Sequence, residues 1–147
     1  MLKRPIRMPL VWASLSVAAT KLKALTVEDE TANSLLLELE TAANLTEAFN
    51  RTWSSIHWNS SRKRTKVRVT KTLHKMAELI FEHLEESVKL FDQLCEEQSR
   101  IPTIPLTDDW LEIKDSLRRG KEEFQKTQGR FLEPLPLFKY LQNQQEK

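Results

Sequence analysis

Along this chain the apolar residues recur every three or four positions, and the interruptions fall at prolines and at clusters of capping residues. The spacing predicts helices over about residues 8–24, 27–57, 61–97 and 108–131, with a short fifth over about 135–142. The first, around MPLVWASLSVAA, is so continuously apolar that burial over most of its surface is expected. Thr26, followed by Glu28, Asp29 and Glu30, reads as the N-cap of the second, with acids at the positive end of the helix dipole. Its core stripe runs Ala32, Leu35, Leu36, Leu39, Ala42, Ala43, Thr46, Phe49, Trp53 and Ile56. Asn59, Ser60 and Ser61 form the next cap cluster, and a third stripe follows through Leu73, Ala77, Ile80, Leu84, Val88, Phe91 and Cys95. Pro102 and Pro105 make Ser99 to Thr107 a connector, because neither fits inside a helix without losing a backbone bond. Thr107 with Asp108 and Asp109 caps the fourth stripe, Trp110, Ile113, Leu117, Phe124 and Phe131. Pro134 and Pro136 end it, leaving Leu135, Leu137, Phe138, Tyr140 and Leu141 to pack back on the bundle. The expected fold class is all-α: a compact four- to five-helix bundle of long antiparallel helices, one domain over residues 1–147.

Composition narrows the functional classes. Two glycines in 147 residues leave no material for Gly-rich phosphate loops, nucleophile elbows or a series of β-turns. The single cysteine, Cys95, excludes an intramolecular disulfide framework and any multi-cysteine zinc site, and fits a reducing, cytoplasmic setting. Residues 8–19 behind Lys3, Arg4 and Arg7 have the outline of a secretory leader. They contain a proline and two serines and run on into Lys21 and Lys23, which favours a bundle helix, and the stretch is too short to span a bilayer. The triplets at Asn44, Asn50 and Asn59 match the glycosylation pattern but sit in or beside predicted helices and read as chance.

The net charge of +2 conceals a strong segregation. Residues 1–25 hold five basic and no acidic side chains, and residues 26–61 hold one against six. Residues 62–75 then hold seven bases and no acid, Arg62, Lys63, Arg64, Lys66, Arg68, Lys71 and Lys75, while 76–98 hold one base against seven acids. On a helix, Arg64, Arg68, Lys71 and Lys75 fall within about 60° of one another, and Leu73, Ala77, Ile80 and Leu84 project about 180° away. One face would join the core and the other would present a cationic row about 16 Å long. Such a row suits successive phosphates of a strand, contacted without regard to sequence. Seven bases at a helix N-terminus also oppose the dipole, a cost that suggests a use. The competing reading is a solvated face paired with acids of neighbouring helices. Lys114, Arg118 and Lys121 repeat the i, i+4, i+7 spacing and form an auxiliary row, with Glu112, Asp115, Glu122 and Glu123 nearby to absorb it. Trp58, beside the basic run, could stack on a base or pack as a helix corner.

No catalytic constellation, cofactor site or metal site emerges, so a non-enzyme is expected. His57, His74 and His83 make neither HExxH nor Glu-x-x-His. Cys95 lies on an apolar stripe amid acids, which raises a thiol pKa and marks a structural cysteine. Arg68-Val-Thr-Lys-Thr-Leu-His74 resembles the Arg, five residues, His spacing of the helical ribonucleases called higher eukaryote and prokaryote nucleotide-binding domains. It departs from them at Val69, where a polar residue is common, and six helical residues turn about 240°, which parts Arg68 from His74.

A helical bundle with a basic face and no active site resembles the small subunits of CRISPR Cascade-type interference complexes, in size, charge layout and abrupt apolar start most of all the type I-D kind. The resemblance covers the whole chain at the level of architecture and carries no short motif. It implies a non-catalytic subunit with several copies side by side. Each copy would contact guide RNA, target or displaced DNA through its basic face and neighbouring subunits, copies of itself included, through other surfaces. No membrane partner is implied. The alternatives are a helical adaptor whose bases pair with an acidic protein, and a ribonuclease using Arg68 and His74.

Overall fold

The computed structural model describes residues 5–25, 29–100 and 108–129, with the side chains of 99 and 100 excepted. Among the described residues there are four helices: α1 (Pro9–Ala24), α2 (Glu30–Ser54), α3 (Lys63–Arg100) and α4 (Asp108–Gln128). The expected short helix near 135–142, with Phe131, Pro134, Pro136 and the apolar cluster after them, lies outside the described residues, as do Thr26, Pro102, Pro105 and Thr107.

Local chemistry sets the helix ends. Pro9 opens α1, where a missing N–H costs nothing, and Lys21 and Lys23 close it at the negative end of the dipole. The cap of α2 is Asp29, not Thr26: its backbone is extended and its carboxylate accepts from the Ala32 N–H at 3.0 Å. α2 stops at Ser54, three residues short of expectation, where the Ser55 N–H reaches the Arg51 carbonyl at 3.0 Å and its hydroxyl the Thr52 carbonyl at 2.7 Å. Asn59, Ser60 and Ser61 belong to a turn whose Ser60 and Ser61 N–H groups both donate to the His57 carbonyl, at 3.1 and 2.8 Å. α3 begins two residues beyond the predicted start: the Arg62 carbonyl accepts the first helical bond, from the Lys66 N–H at 3.0 Å. α4 ends at Gly129, whose φ of 68° is the left-handed conformation that terminates helices and that glycine adopts without strain.

The helices run up and down in alternation. Met8 N–H donates to Asn50 Oδ1 at 2.7 Å, Thr31 Oγ1 donates to Glu97 Oε1 at 2.8 Å, and Gln128 Nε2 donates to the Ile6 carbonyl at 3.1 Å, so successive helices are antiparallel. α2 packs along α3, and α1 packs against both α2 and α4. α3 and α4 approach more loosely than these pairs and are bridged by large rings: Phe91 stacks on Trp110 with centroids 5.1 Å apart, and Phe81 meets Phe124 at 5.9 Å. Every residue of the predicted α3 stripe is buried, as are seven of α2, with Leu36, Trp53 and Ile56 half-buried. Buried Thr46 and Ser87 satisfy their hydroxyls on carbonyls four residues back, at 2.7 and 2.8 Å.

α1 departs from expectation. Only Val11, Leu15, Ala18, Ala19 and Leu22 are buried, an arc of about 100°, and Leu10, Trp12 and Val17 remain exposed. In α4 the buried set Trp110, Ile113, Lys114, Ser116, Leu117, Gly120 and Phe124 spans about 160°, so the more polar helix has the wider covered face. α4 lies between α1 and the rings of α3, whereas the outer side of α1 has no neighbouring helix among the described residues.

Candidate nucleic-acid interface

The seven bases of residues 62–75 occupy the approach to α3 and its first turns. Arg62, Lys63, Arg64, Arg68, Lys71 and Lys75 are exposed, and Lys66 is half-exposed. α3 is one helix from Lys63 to Arg100, so the angular argument applies: Arg64, Arg68, Lys71 and Lys75 share a face opposite Leu73, Ala77, Ile80 and Leu84, all four of which are buried. No side chain from 62 to 69 is buried, and the core contribution of α3 begins only at Thr70 and Leu73. None of the seven basic side chains forms an ion pair with the described residues. Polar pairing along α3 is found farther on, where His83 Nδ1 meets Glu38 Oε2 at 2.6 Å and Lys89 meets Glu85 at 3.5 Å. With no acid in the first turn of α3, the positive end of its dipole adds to the same potential. The spacing of about one helical turn per charge matches a flexible polyanion better than a single carboxylate.

The auxiliary row is not a free cationic surface: Arg118 and Lys121 are only half-exposed. Lys114 is 3% exposed, and both Lys114 and Lys121 are engaged in interactions within the fold. Arg118 pairs with Asp115 at 3.6 Å, and its buried Nε has no partner, a cost to the fold with no evident return. Glu112, one of the acids expected to absorb the row, is directed to α1: Lys21 Nζ lies 2.8 Å from it and 3.5 Å from Asp109. The Glu112 hydrogen bond, followed by its charge, raises the Lys21 pKa. The spacing of the α4 bases is legible in the sequence, but the burial of Lys114 is not.

Trp58 packs as a corner. Its indole N–H donates to the Trp53 carbonyl at 3.1 Å, and its ring lies 5.8 Å from that of Trp53. Trp53, expected in the core, is half-buried at the end of the bundle, with its indole N–H on the Pro5 carbonyl at 2.9 Å and the Arg7 guanidinium 5.7 Å over its ring. Arg7, Trp12 and Arg51 carry no site role in the sequence analysis, yet they come together beside this corner. The available signal was Trp12's position, about 100° around the helix from Val11 and off the Val11, Leu15, Ala18, Leu22 stripe.

Arg68 is exposed and His74 half-buried on the one continuous helix, so they keep the separation of about 240°. Cys95 is buried, and burial, reinforced by Asp92 and opposed by Lys114, pushes its thiol pKa up to about 12. Among the described residues no group of three His, Cys, Asp or Glu converges on a metal position, and no helix is long and apolar enough to cross a membrane. Compared with protein-family models, curated proteins and solved structures, the chain returned no match.

Proposed function

We propose that this chain is a non-catalytic subunit that binds nucleic acid through the phosphate backbone, independently of sequence, with Arg62, Lys63, Arg64, Lys66, Arg68, Lys71 and Lys75. The observation that carries the reading is the outward row of Arg64, Arg68, Lys71 and Lys75, unpaired among the described residues, on a helix whose opposite side is core. A row held by the chain's own carboxylates would serve solubility. A free row at the positive end of a helix attracts polyanions and releases their counterions. The resemblance to Cascade-type small subunits is the ground on which we assign this activity to an RNA-guided complex, on guide RNA or on target or displaced DNA. The apolar side chains Leu10 and Val17, left exposed on α1, favour a second role, contact with neighbouring subunits or copies of the same chain.

Retention on single-stranded RNA and DNA at several salt concentrations tests the proposal. Reversing Arg64, Arg68 and Lys71 to Glu should weaken binding and flatten the slope of log affinity against log salt by about two, at about 0.7 per lost single-strand contact. An unchanged slope rejects the assignment and leaves the adaptor reading, in which an acidic protein rather than a strand is retained.

A further inference from the structure

A groove of about 400 Å³ lies between the start of α1 and the last turns of α2, lined by Arg7, Trp12, Glu47, Asn50, Arg51 and Ser54 among others. Two guanidinium groups and an indole face one space there, and none of the three is committed to the core. Trp12 is 41% exposed although it stands in the first turn of a helix whose neighbouring Val11 is fully buried. The Arg7 guanidinium rests over the Trp53 ring, which fixes the cation while leaving its N–H edge open to an oxygen acceptor. Arg51 is held by Glu47 at 2.8 Å in an exposed pair four residues apart, a weak contact that an incoming anion can displace. Asn50 is already used: its Oδ1 accepts the Met8 N–H and pins the start of α1 against α2, so the walls of the groove are fixed by the fold. The volume suits one aromatic ring with an attached phosphate, and the lining offers a flat ring for stacking and two planar donors for oxygen.

We propose that this groove binds one nucleotide unit, its base stacked on Trp12 and its phosphate held by Arg7 and Arg51. The site deepens the nucleic-acid reading and rests on it only for the claim that the unit belongs to a strand. Glu47 acts against the ligand by occupying Arg51, so the groove has a built-in sign test. Glu47→Gln should tighten binding, whereas a merely structural Glu47–Arg51 pair would leave it unchanged.

The folded full-length chain is titrated with uridine 5′-monophosphate while the Trp12 indole and the Arg7 and Arg51 guanidinium signals are followed by NMR. Saturable shifts at these groups are expected, with affinity about tenfold weaker in Trp12→Ala and in Arg51→Gln and about two- to threefold tighter in Glu47→Gln. Both weakened variants alter exposed side chains, and an unchanged melting temperature verifies their folding. Absence of saturable shifts, wild-type affinity in Trp12→Ala, or tighter capture of phosphotyrosine than of the nucleotide overturns the proposal. A second arm uses a ten-residue oligouridylate. A tenfold loss in Trp12→Ala at constant salt slope identifies a strand as the source, and a loss confined to the monophosphate identifies a free nucleotide. The two proposals fail separately. The triple α3 reversal should still bind the monophosphate, so an unchanged oligonucleotide salt slope with a filled groove rejects the α3 interface alone. An intact α3 effect with an empty groove rejects the groove alone.

Discussion

Removing the Cys95 thiol should change how the bundle responds to alkali, and the size of the change follows from the burial of the group. In the fold the thiol is pushed from 9.0 to about 12, chiefly by desolvation, with Asp92 adding to the rise and Lys114 opposing it. In the unfolded chain it titrates near its ordinary value. Above that value the unfolded state loses a proton that the folded state keeps, so the unfolded state binds fewer protons and stability falls as pH rises. The contribution is fully present below about pH 9 and is lost progressively toward pH 12. Between pH 8 and pH 10 the loss is about 1.4 kcal/mol, one tenfold step in the folding constant. In a domain of this size that corresponds to about 3–6 °C in melting temperature. Cys95→Ala starts less stable because it leaves a small void, but its stability should fall by about 1.4 kcal/mol less over the same interval. Urea unfolding followed by tryptophan fluorescence at pH 8, 9 and 10, under reducing conditions, measures both slopes, and lysine titration is common to both proteins. Parallel loss of stability in the two would refute the reasoning, because it would mean that the thiol ionises as readily in the bundle as in the open chain.

Two further substitutions test the packing. Gly120 faces α1, and a Cβ there would lie 3.5 Å from Ser14 Cβ and 3.6 Å from a Leu15 methyl, both ordinary contacts. Gly120→Ala should therefore stabilise by about 0.5–1 kcal/mol through reduced backbone entropy in the unfolded chain, read as a higher urea midpoint at unchanged slope; a loss would mean that α1 and α4 lie closer than this. Asp29→Ala removes the acceptor of the Ala32 N–H and should cost about 1 kcal/mol, whereas Asp29→Asn should cost far less; equal losses in thermal melts would count against the cap.

The interior of α3 was readable because helical period is a local property. Leu73, Ala77, Ile80, Leu84, Val88, Phe91 and Cys95 follow one another at three- and four-residue steps and all enter the core, which leaves Arg64, Arg68, Lys71 and Lys75 facing away from it. The same reasoning failed for the auxiliary row. Lys114, Arg118 and Lys121 have the spacing of a surface stripe, but Lys114 stands about 40° from Trp110 and falls under the α3 side of the bundle. The helix ends moved for a related reason. Asp29 rather than Thr26 caps α2, and Gly129 rather than the prolines stops α4, because several residues could fill each position and the geometry of the turn selects among them.

The amino-acid sequence by itself determined that the described residues are helical, where those helices lie to within a few residues, and that four of seven clustered bases share one side of the third. Those properties depend on periodicity, capping chemistry and charge order, which neighbours in the chain carry between them. Tertiary structure decided how much of each helix is covered. The apolar α1 buries an arc of about 100° and the polar α4 about 160°, because coverage is set by the directions in which adjoining helices and their large rings lie around a helix rather than by its own hydropathy. It also decided that Arg7, Trp12 and Arg51, separated by up to 44 residues, share a groove. Antiparallel packing of α1 on α2 brings the start of one beside the end of the other, and no periodicity within either helix records that meeting.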